Sequence, residues 1–279
     1  MEHRQENQTM DGKFIPMTSL TNGLVQQVAE GVFSYTIQIV NIAMVRTSND
    51  FVLIDTGMPE SEKKIFEIVE EIFGENAKPE AIILTHGHFD HVGSIEKLLT
   101  QWDVPVYAHP LEIPYLTGQK NYPDPDGTVE GGLVAKISPM FPNEGVHLGN
   151  HVKPLQDNGE LPHLSEWKWI HTPGHSDGHI SLFREKDRTL IAGDAFITVK
   201  QDSLAKVLVQ EREVNGPPRY LTTDWQLAKK SVEKLAALHP RVAVTGHGLP
   251  MEGEDLEQGL TKLVNEFDTI AVPDYGKFV

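Results

Sequence analysis

Thr85-His86-Gly87-His88-Phe89-Asp90-His91 is the stretch on which the reading of this chain turns. Three imidazoles and a carboxylate crowd into residues 86–91. The preceding AIIL (81–84) is a short apolar run of the kind that forms a buried strand, and 93–101 carries a helical pattern. A turn at a strand end aims alternate side chains at one point, and Gly87 lets the backbone bend sharply there. Imidazole and carboxylate suit zinc and related divalent metals. One histidine in a polar loop is incidental; this density at a strand end is a ligand pattern.

Three further positions extend it. His175 lies in HTPGHSDGH (171–179), Asp194 in IAGDA (191–195) and His247 in VTGHG (244–248). Each follows an expected strand: WKWIH (167–171), TLIAG (189–193) and VAVT (242–245). Each has glycine close by, which allows close approach of the backbone. Two imidazoles and one carboxylate complete two coordination sets. There is also an internal echo. FVLIDTG and TLIAGDA both run an apolar strand into an aspartate, and AIILTH and VAVTGH both run one into Thr and then His.

The rest of the chain alternates strands with helices. Residues 32–47 are rich in β-branched and aromatic types and suggest strands, and FVLI (51–54) reads as a buried strand ending at Asp55. Pro59 opens a helix, Ile65, Ile68, Val69 and Ile72 give its apolar stripe, and Gly74 stops it. A strand is expected at 104–108 and further strands at HISLF (179–183) and 189–193. Thr223 and Gln226 form a capping box for a helix to about Leu238, and 252–269 is a final amphipathic helix. The stretch 110–165 is dense in Pro, Gly, Asn and Asp, which suggests short helices serving as an active-site cover. Residues 1–12 are polar and expected to be flexible, with 13–279 forming one domain.

Composition narrows the chemistry. The chain has 279 residues, with Lys+Arg 24 against Asp+Glu 40, a formal charge of −16. That balance disfavours a nucleic-acid-coating protein and an anionic membrane surface. Cysteine is absent, so disulfide, thiol-nucleophile, iron–sulfur and Cys-zinc mechanisms are excluded. No secretory h-region and no transmembrane run is visible, and a cytoplasmic location is expected. No Rossmann fingerprint, P-loop or H-E-x-x-H is present. Of 13 histidines, His3, His109, His147, His151, His163, His171 and His239 carry no assigned role.

LIDTG (53–57), THGHFDH (85–91), TPGHSDGH (172–179), AGDA (192–195) and TGHG (245–248), in that order, resemble the metallo-β-lactamase superfamily of metallohydrolases. The resemblance spans about residues 25 to 250. It implies an α/β fold, a four-layer αββα sandwich with the site at one edge. It assigns His86, His88 and His175 to one metal and Asp90, His91 and His247 to the other, with Asp194 bridging. No cysteine replaces a ligand, unlike lactamase-type sites that place one on the second metal. The cofactors implied are two divalent ions, zinc by default, with manganese, iron and cobalt compatible. Such a pair presents a bridging hydroxide at neutral pH to an ester, lactone, thioester or related bond of a small-molecule substrate. Asp90 is the candidate to receive or relay a proton, and Asp55, Thr85 and His179 are candidates to orient the ligands.

Two rival readings exist. Gly174-His175-Ser176-Asp177-Gly178 also fits G-x-S-x-G, the serine-hydrolase elbow, with Asp194 or Asp224 and then His247 in serviceable order. An elbow needs strand, turn and helix, whereas 179–193 reads as two strands about a charged turn, and Ser176 catalysis leaves the 86–91 cluster unused. The other rival is a non-catalytic metal-binding protein on this fold. For substrate, the blocks resemble hydroxyacylglutathione thioesterases and acyl-homoserine lactonases. The lactonase Tyr three residues after the bridging Asp is here Ile197, and the roughly 30 residues after His247 look short for the thioesterase's basic helical extension. Phe196, Lys200, Gln201, Arg219 and Tyr220 are candidate pocket residues, with Tyr115, Tyr122 and Phe141 of the cover as a candidate apolar wall.

Overall fold

Phe51-Val52-Leu53-Ile54 is buried along its whole length, and its side chains divide by parity between two cores. Phe51 and Leu53 pack with Ile42 and Met44 against helices. Val52 and Ile54 pack with Ala43 and Val45 against Leu182, Ile191 and Val244, which belong to another sheet. Successive side chains of a strand face opposite ways, so a strand apolar at every position is covered on both faces.

The computed structural model describes residues 18–130, 132–200 and 210–279. The expected flexible segment 1–12 and the pocket candidate Gln201 lie outside them. The first sheet has seven strands in chain order: β1 (Val25–Ala29), β2 (Val32–Ile37), β3 (Val40–Arg46), β4 (Phe51–Ile54), β5 (Ala81–Ile83), β6 (Val106–Ala108) and β7 (Val152–Pro154). β1 to β4 are antiparallel neighbours, and β4 to β7 run parallel. The chain continues with β8 (Trp167–His171), β9 (Ile180–Arg184), β10 (Thr189–Gly193), a small antiparallel pair β11 (Ile197–Val199) and β12 (Arg212–Asn215), then β13 (Val242–Thr245) and β14 (Met251–Glu252). The second sheet orders these as β14-β13-β10-β9-β8, with β10 and β13 parallel.

Helices close both outer faces. Helix α1 (Glu62–Phe73) buries Ile65, Ile68 and Val69, the expected stripe, and ends at Gly74, whose φ of 106° suits a residue without Cβ. It begins three positions beyond Pro59. A short helix α2 (Phe89–Val92) leads into α3 (Ile95–Trp102), which adds Ile95, Leu98 and Trp102 to the same core. On the far side the helices Trp225–Ala236 and Gly253–Asn265 pack Val232, Leu235, Leu256 and Leu260 onto Leu190, Ala192 and Ala243 of the second sheet. The layers are helix, sheet, sheet, helix.

Some boundaries differ from expectation for local reasons. The N-cap of Trp225–Ala236 is Asp224, whose carboxylate accepts from Leu227 N–H; Thr223 instead donates its hydroxyl to the Gly174 carbonyl. A carboxylate at that end also meets the positive pole of the helix. The final helix stops at Asn265 and resumes as a short turn, Phe267–Ile270. Residues 110–165 do contain short helical turns, but Val152–Pro154 leaves the stretch to become β7, and Leu155, Leu161 and Leu164 enter the inter-sheet core. Among the described residues, no helix is long and apolar enough to cross a membrane.

Leu53→Ala opens a cavity between β4 and the helical layer. We expect a loss of about 2–5 kcal/mol, read as a lower denaturant midpoint at constant metal concentration.

Candidate metal centre

The carboxyl ends of four parallel strands furnish most of the centre. Asp55 follows β4, Thr85 and His86 follow β5, Asp194 follows β10, and His247 follows β13. His175 sits in the loop from β8 to β9, and Asp90 and His91 in α2. Backbone bonds join the two sheets here: Ile180 N–H donates to Thr85 O (2.9 Å) and Asn41 N–H to Gly246 O (2.7 Å).

His86, His88, Asp90, His91, His175, Asp194 and His247 converge, and none is more than 5% exposed. Their donor atoms form three overlapping groups, each within 4.8 Å: His86, His88 and His175; Asp90, His91 and His247; and His86, His91 and Asp194. Ring orientation follows from groups that can act in only one sense. A carbonyl only accepts, so His247 Nδ1–H donates to Ile39 O (3.0 Å) and Nε2 faces Asp90 and Asp194, each 3.3 Å away. His91 Nδ1–H donates to Asp55 Oδ2 (2.8 Å). Thr85 spends its hydroxyl hydrogen on Asp55 Oδ2 (2.7 Å), so its oxygen accepts from His86 Nδ1 (3.0 Å). Thr222 spends its hydrogen on Pro218 O (2.8 Å), so its oxygen accepts from His175 Nδ1 (3.2 Å). Four imidazoles are thereby anchored at Nδ1 and present Nε2 inward. His88 presents Nδ1, 2.9 Å from His175 Nε2.

His179 lies beside the donor sets. Its Nε2 accepts from the Asp194 backbone N–H (2.8 Å), which fixes the neutral ring, and its Nδ1–H faces Thr172 Oγ1 (2.9 Å). Burial pushes its pKa down to about 3, in keeping with that role. Asp55, at a φ of 60°, receives Thr85 N–H, the Thr85 hydroxyl and His91 Nδ1–H.

The inward atoms are the test of a metal. His86 Nε2, His91 Nε2, Asp90 Oδ1 and Asp194 Oδ1 are buried with no hydrogen-bond partner. Native interiors rarely leave such atoms unmatched, and imidazole nitrogens facing carboxylates form a donor set for divalent cations. Electrostatics agrees. Burial disfavours charge on His91 and His247, yet the neighbouring carboxylates, Asp194 foremost, outweigh it, raising His91 well above its usual value and His247 to about 10. Burial likewise opposes ionisation of Asp194, and the His247 and His91 rings overcome it. The carboxylates call for positive charge beside them. On the other side burial lowers His86, His175 and His88, the last to about 4, so these rings stay neutral as ligands require.

Residues 35–247 match the family model for the metallo-beta-lactamase superfamily. The chain belongs to that superfamily. It is 47% identical over 264 residues to the probable metallo-hydrolase YflN of Bacillus subtilis (strain 168), covering 94% of this chain and 100% of that one. Among solved structures it resembles TTHA1623 in a di-iron-bound form, with 28% identity, a TM-score of 0.54 and coverage of 76% of this chain and 89% of that one. BJP-1, a subclass B3 metallo-beta-lactamase of Bradyrhizobium japonicum, shares the fold at 19% identity and TM-score 0.61, covering 91% and 96%. The superfamily member described here is a metal-dependent hydrolase.

The pocket candidates divide. Phe196 is fully buried in the second sheet's outer core, so it is packing and not pocket wall. Arg219 donates to Ile270 O and Ala271 O and pairs with Glu130, which ties it to the C-terminal segment. Lys200 lines the same hollow as Arg219, Pro217 and Ile270, and no member of the donor groups lines it. Tyr220 packs edge-on to Phe141 in the first sheet's helical core. Tyr122 lies 4.4 Å from the His88 ring, and Tyr115 stacks on Tyr122 (4.0 Å between centroids).

Ser176 donates to Glu112 Oε1 (2.7 Å), and strands flank its turn on both sides, so the elbow geometry is absent. Sequence reasoning passed over Glu112, Thr222 and Asn41. Asn41 spans the His247 loop, donating to Thr245 O (2.9 Å) and Gly248 O. A lone Asn inside the apolar VNIAMV was a readable sign of that bond.

Gly246 leaves no room for a side chain: a Cβ there would stand 2.0 Å from Asp194 Oδ1 and 2.7 Å from His91 Cε1. Gly246→Ala therefore displaces the Asp194 carboxylate. We expect zinc affinity to fall about 10-fold or more, measured by competition with a chromophoric chelator; unchanged affinity would remove Asp194 from the centre.

Proposed function

We propose that the chain is a dinuclear hydrolase of small-molecule ester, lactone or thioester bonds. His86, His88 and His175 would hold one divalent ion and Asp90, His91 and His247 the second, with Asp194 the carboxylate available to both. The observation that carries this reading is the convergence of seven buried donors with four inward atoms lacking any protein partner. Zinc is the default metal, and the di-iron form of TTHA1623 makes iron the first alternative to measure.

Bound ions of this kind supply a water of lowered pKa and polarise an electrophilic carbonyl. The chain's residues do the rest. Asp55, Thr85, Thr222 and Ile39 O hold the Nδ1 protons, so each Nε2 keeps its lone pair inward. His179 fixes the backbone at Asp194. Asp90 is the carboxylate that would take a proton from the attacking water and pass it to the leaving group. The formal charge of −16 favours a small molecule over a nucleic acid as substrate.

Removal of metal with a chelator abolishes turnover on an ester, lactone and thioester panel, and re-addition restores it. A serine hydrolase would keep its turnover and be labelled at Ser176 by a fluorophosphonate. Asp194→Ala loses at least one metal equivalent by elemental analysis and lowers turnover by about 100-fold or more, the scale of several kcal/mol of charge stabilisation. Full activity with two metals in that variant would refute the assignment.

A further inference from the structure

Glu112 is fully buried and lies outside the donor groups. A carboxylate is costly to bury unless its oxygens are hydrogen-bonded. Oε2 accepts from Gly87 N–H (3.1 Å) and the Tyr122 hydroxyl, and Oε1 from the Ser176 hydroxyl (2.7 Å) and Gly178 N–H (2.9 Å). Gly87 separates His86 from His88, and Ser176 to Gly178 directly follow His175. One side chain thus fastens both turns that carry the first donor set. The fit is tight. A Cβ at Gly87 would come 2.6 Å from the Tyr122 hydroxyl, and one at Gly178 would come 2.8 Å from Glu112 Cγ.

The second donor set is fastened by other groups, of which Asp55 also reaches His86 through Thr85. Asp55 holds His91, Ile39 O holds His247, and Asn41 spans the His247 loop. None of these bonds passes through Glu112. The chemistry of the brace is also specific. Two donors meet each oxygen, so only a group with two acceptor atoms satisfies all four. A glutamine in its place turns an N–H2 toward one of the two pairs.

We propose that Glu112 is a positioning residue for the His86–His88–His175 set, fixing the spacing of the 86–88 turn from the 175–178 turn. This rests on the dinuclear reading above. Buried hydrogen-bonding partners of this kind tune metal affinity through ligand placement.

The test is zinc titration of parent protein and variants against a chromophoric chelator, with cobalt(II) absorption as a second readout. His88→Ala marks which equivalent belongs to the first set. Glu112→Gln is expected to weaken that equivalent about 10- to 100-fold and leave the other unchanged. Tyr122→Phe and Ser176→Ala each withdraw one donor and weaken the same equivalent less; they decide the matter if Glu112→Gln does not fold. Parent-like affinity for both equivalents in the folded variants overturns the proposal. Equal weakening of both equivalents also overturns it, because that marks general structural support. A parent protein that binds no second equivalent refutes the dinuclear reading, and the role of Glu112 falls with it.

Discussion

Two carboxylates and five imidazoles, each at least nineteen-twentieths buried, meet where two sheets end. Charge in such a place is costly unless matched. That constraint shapes everything around it. Each ring that presents Nε2 must give its Nδ1 proton to a fixed acceptor, so Asp55, Thr85, Thr222 and the Ile39 carbonyl are buried too. The backbone must then pass close behind the donors, which leaves Gly246 no space for a methyl group. A hairpin between β2 and β3 reaches from the first sheet to the His247 loop of the second through Ile39 and Asn41.

The apolar layers exist to hold that meeting point. The inter-sheet core takes one parity of β3, β4, β9 and β10, and the opposite parities of the two sheets pack against separate helical layers. A slip of one residue in β4 or β10 would exchange the two faces and carry Asp55 or Asp194 out of register. Packing and chemistry are therefore coupled through the same short strands. The parallel pairs β4–β5 and β10–β13 point their carboxyl ends at the centre.

This coupling explains how much was legible in the sequence. The layers were readable because FVLI, AIIL, TLIAG and VAVT are apolar at consecutive positions, which only a doubly covered strand tolerates. The candidate donors His86, Asp194 and His247 each follow such a run with a glycine nearby, and the rest cluster within a few residues of His86 or in the glycine-bounded loop after WKWIH. Glu112 was not legible, because its partners lie 10 to 66 positions away and its own stretch has no periodicity. Thr222 is likewise defined by a bond to His175, 47 positions distant. The capping box failed for a similar reason: a tertiary bond from Thr223 to Gly174 O competed with the local one. Phe196 shows the limit of residue type alone, since an aromatic ring serves a core and a pocket wall equally well until the fold places it.

Net charge also takes a different meaning once the acids are located. The formal −16 counts Asp55, Asp90, Glu112 and Asp194, all of which are buried and face hydrogen-bond donors or the centre. Divalent ions seated there would offset their charge within a few ångströms, in a region where water screens little. What a distant molecule meets is the remaining surface excess of Asp and Glu. With such ions seated, the acids of the centre would be matched locally. The two fields act over different distances, because water and salt screen the exposed acids far more than the buried ones.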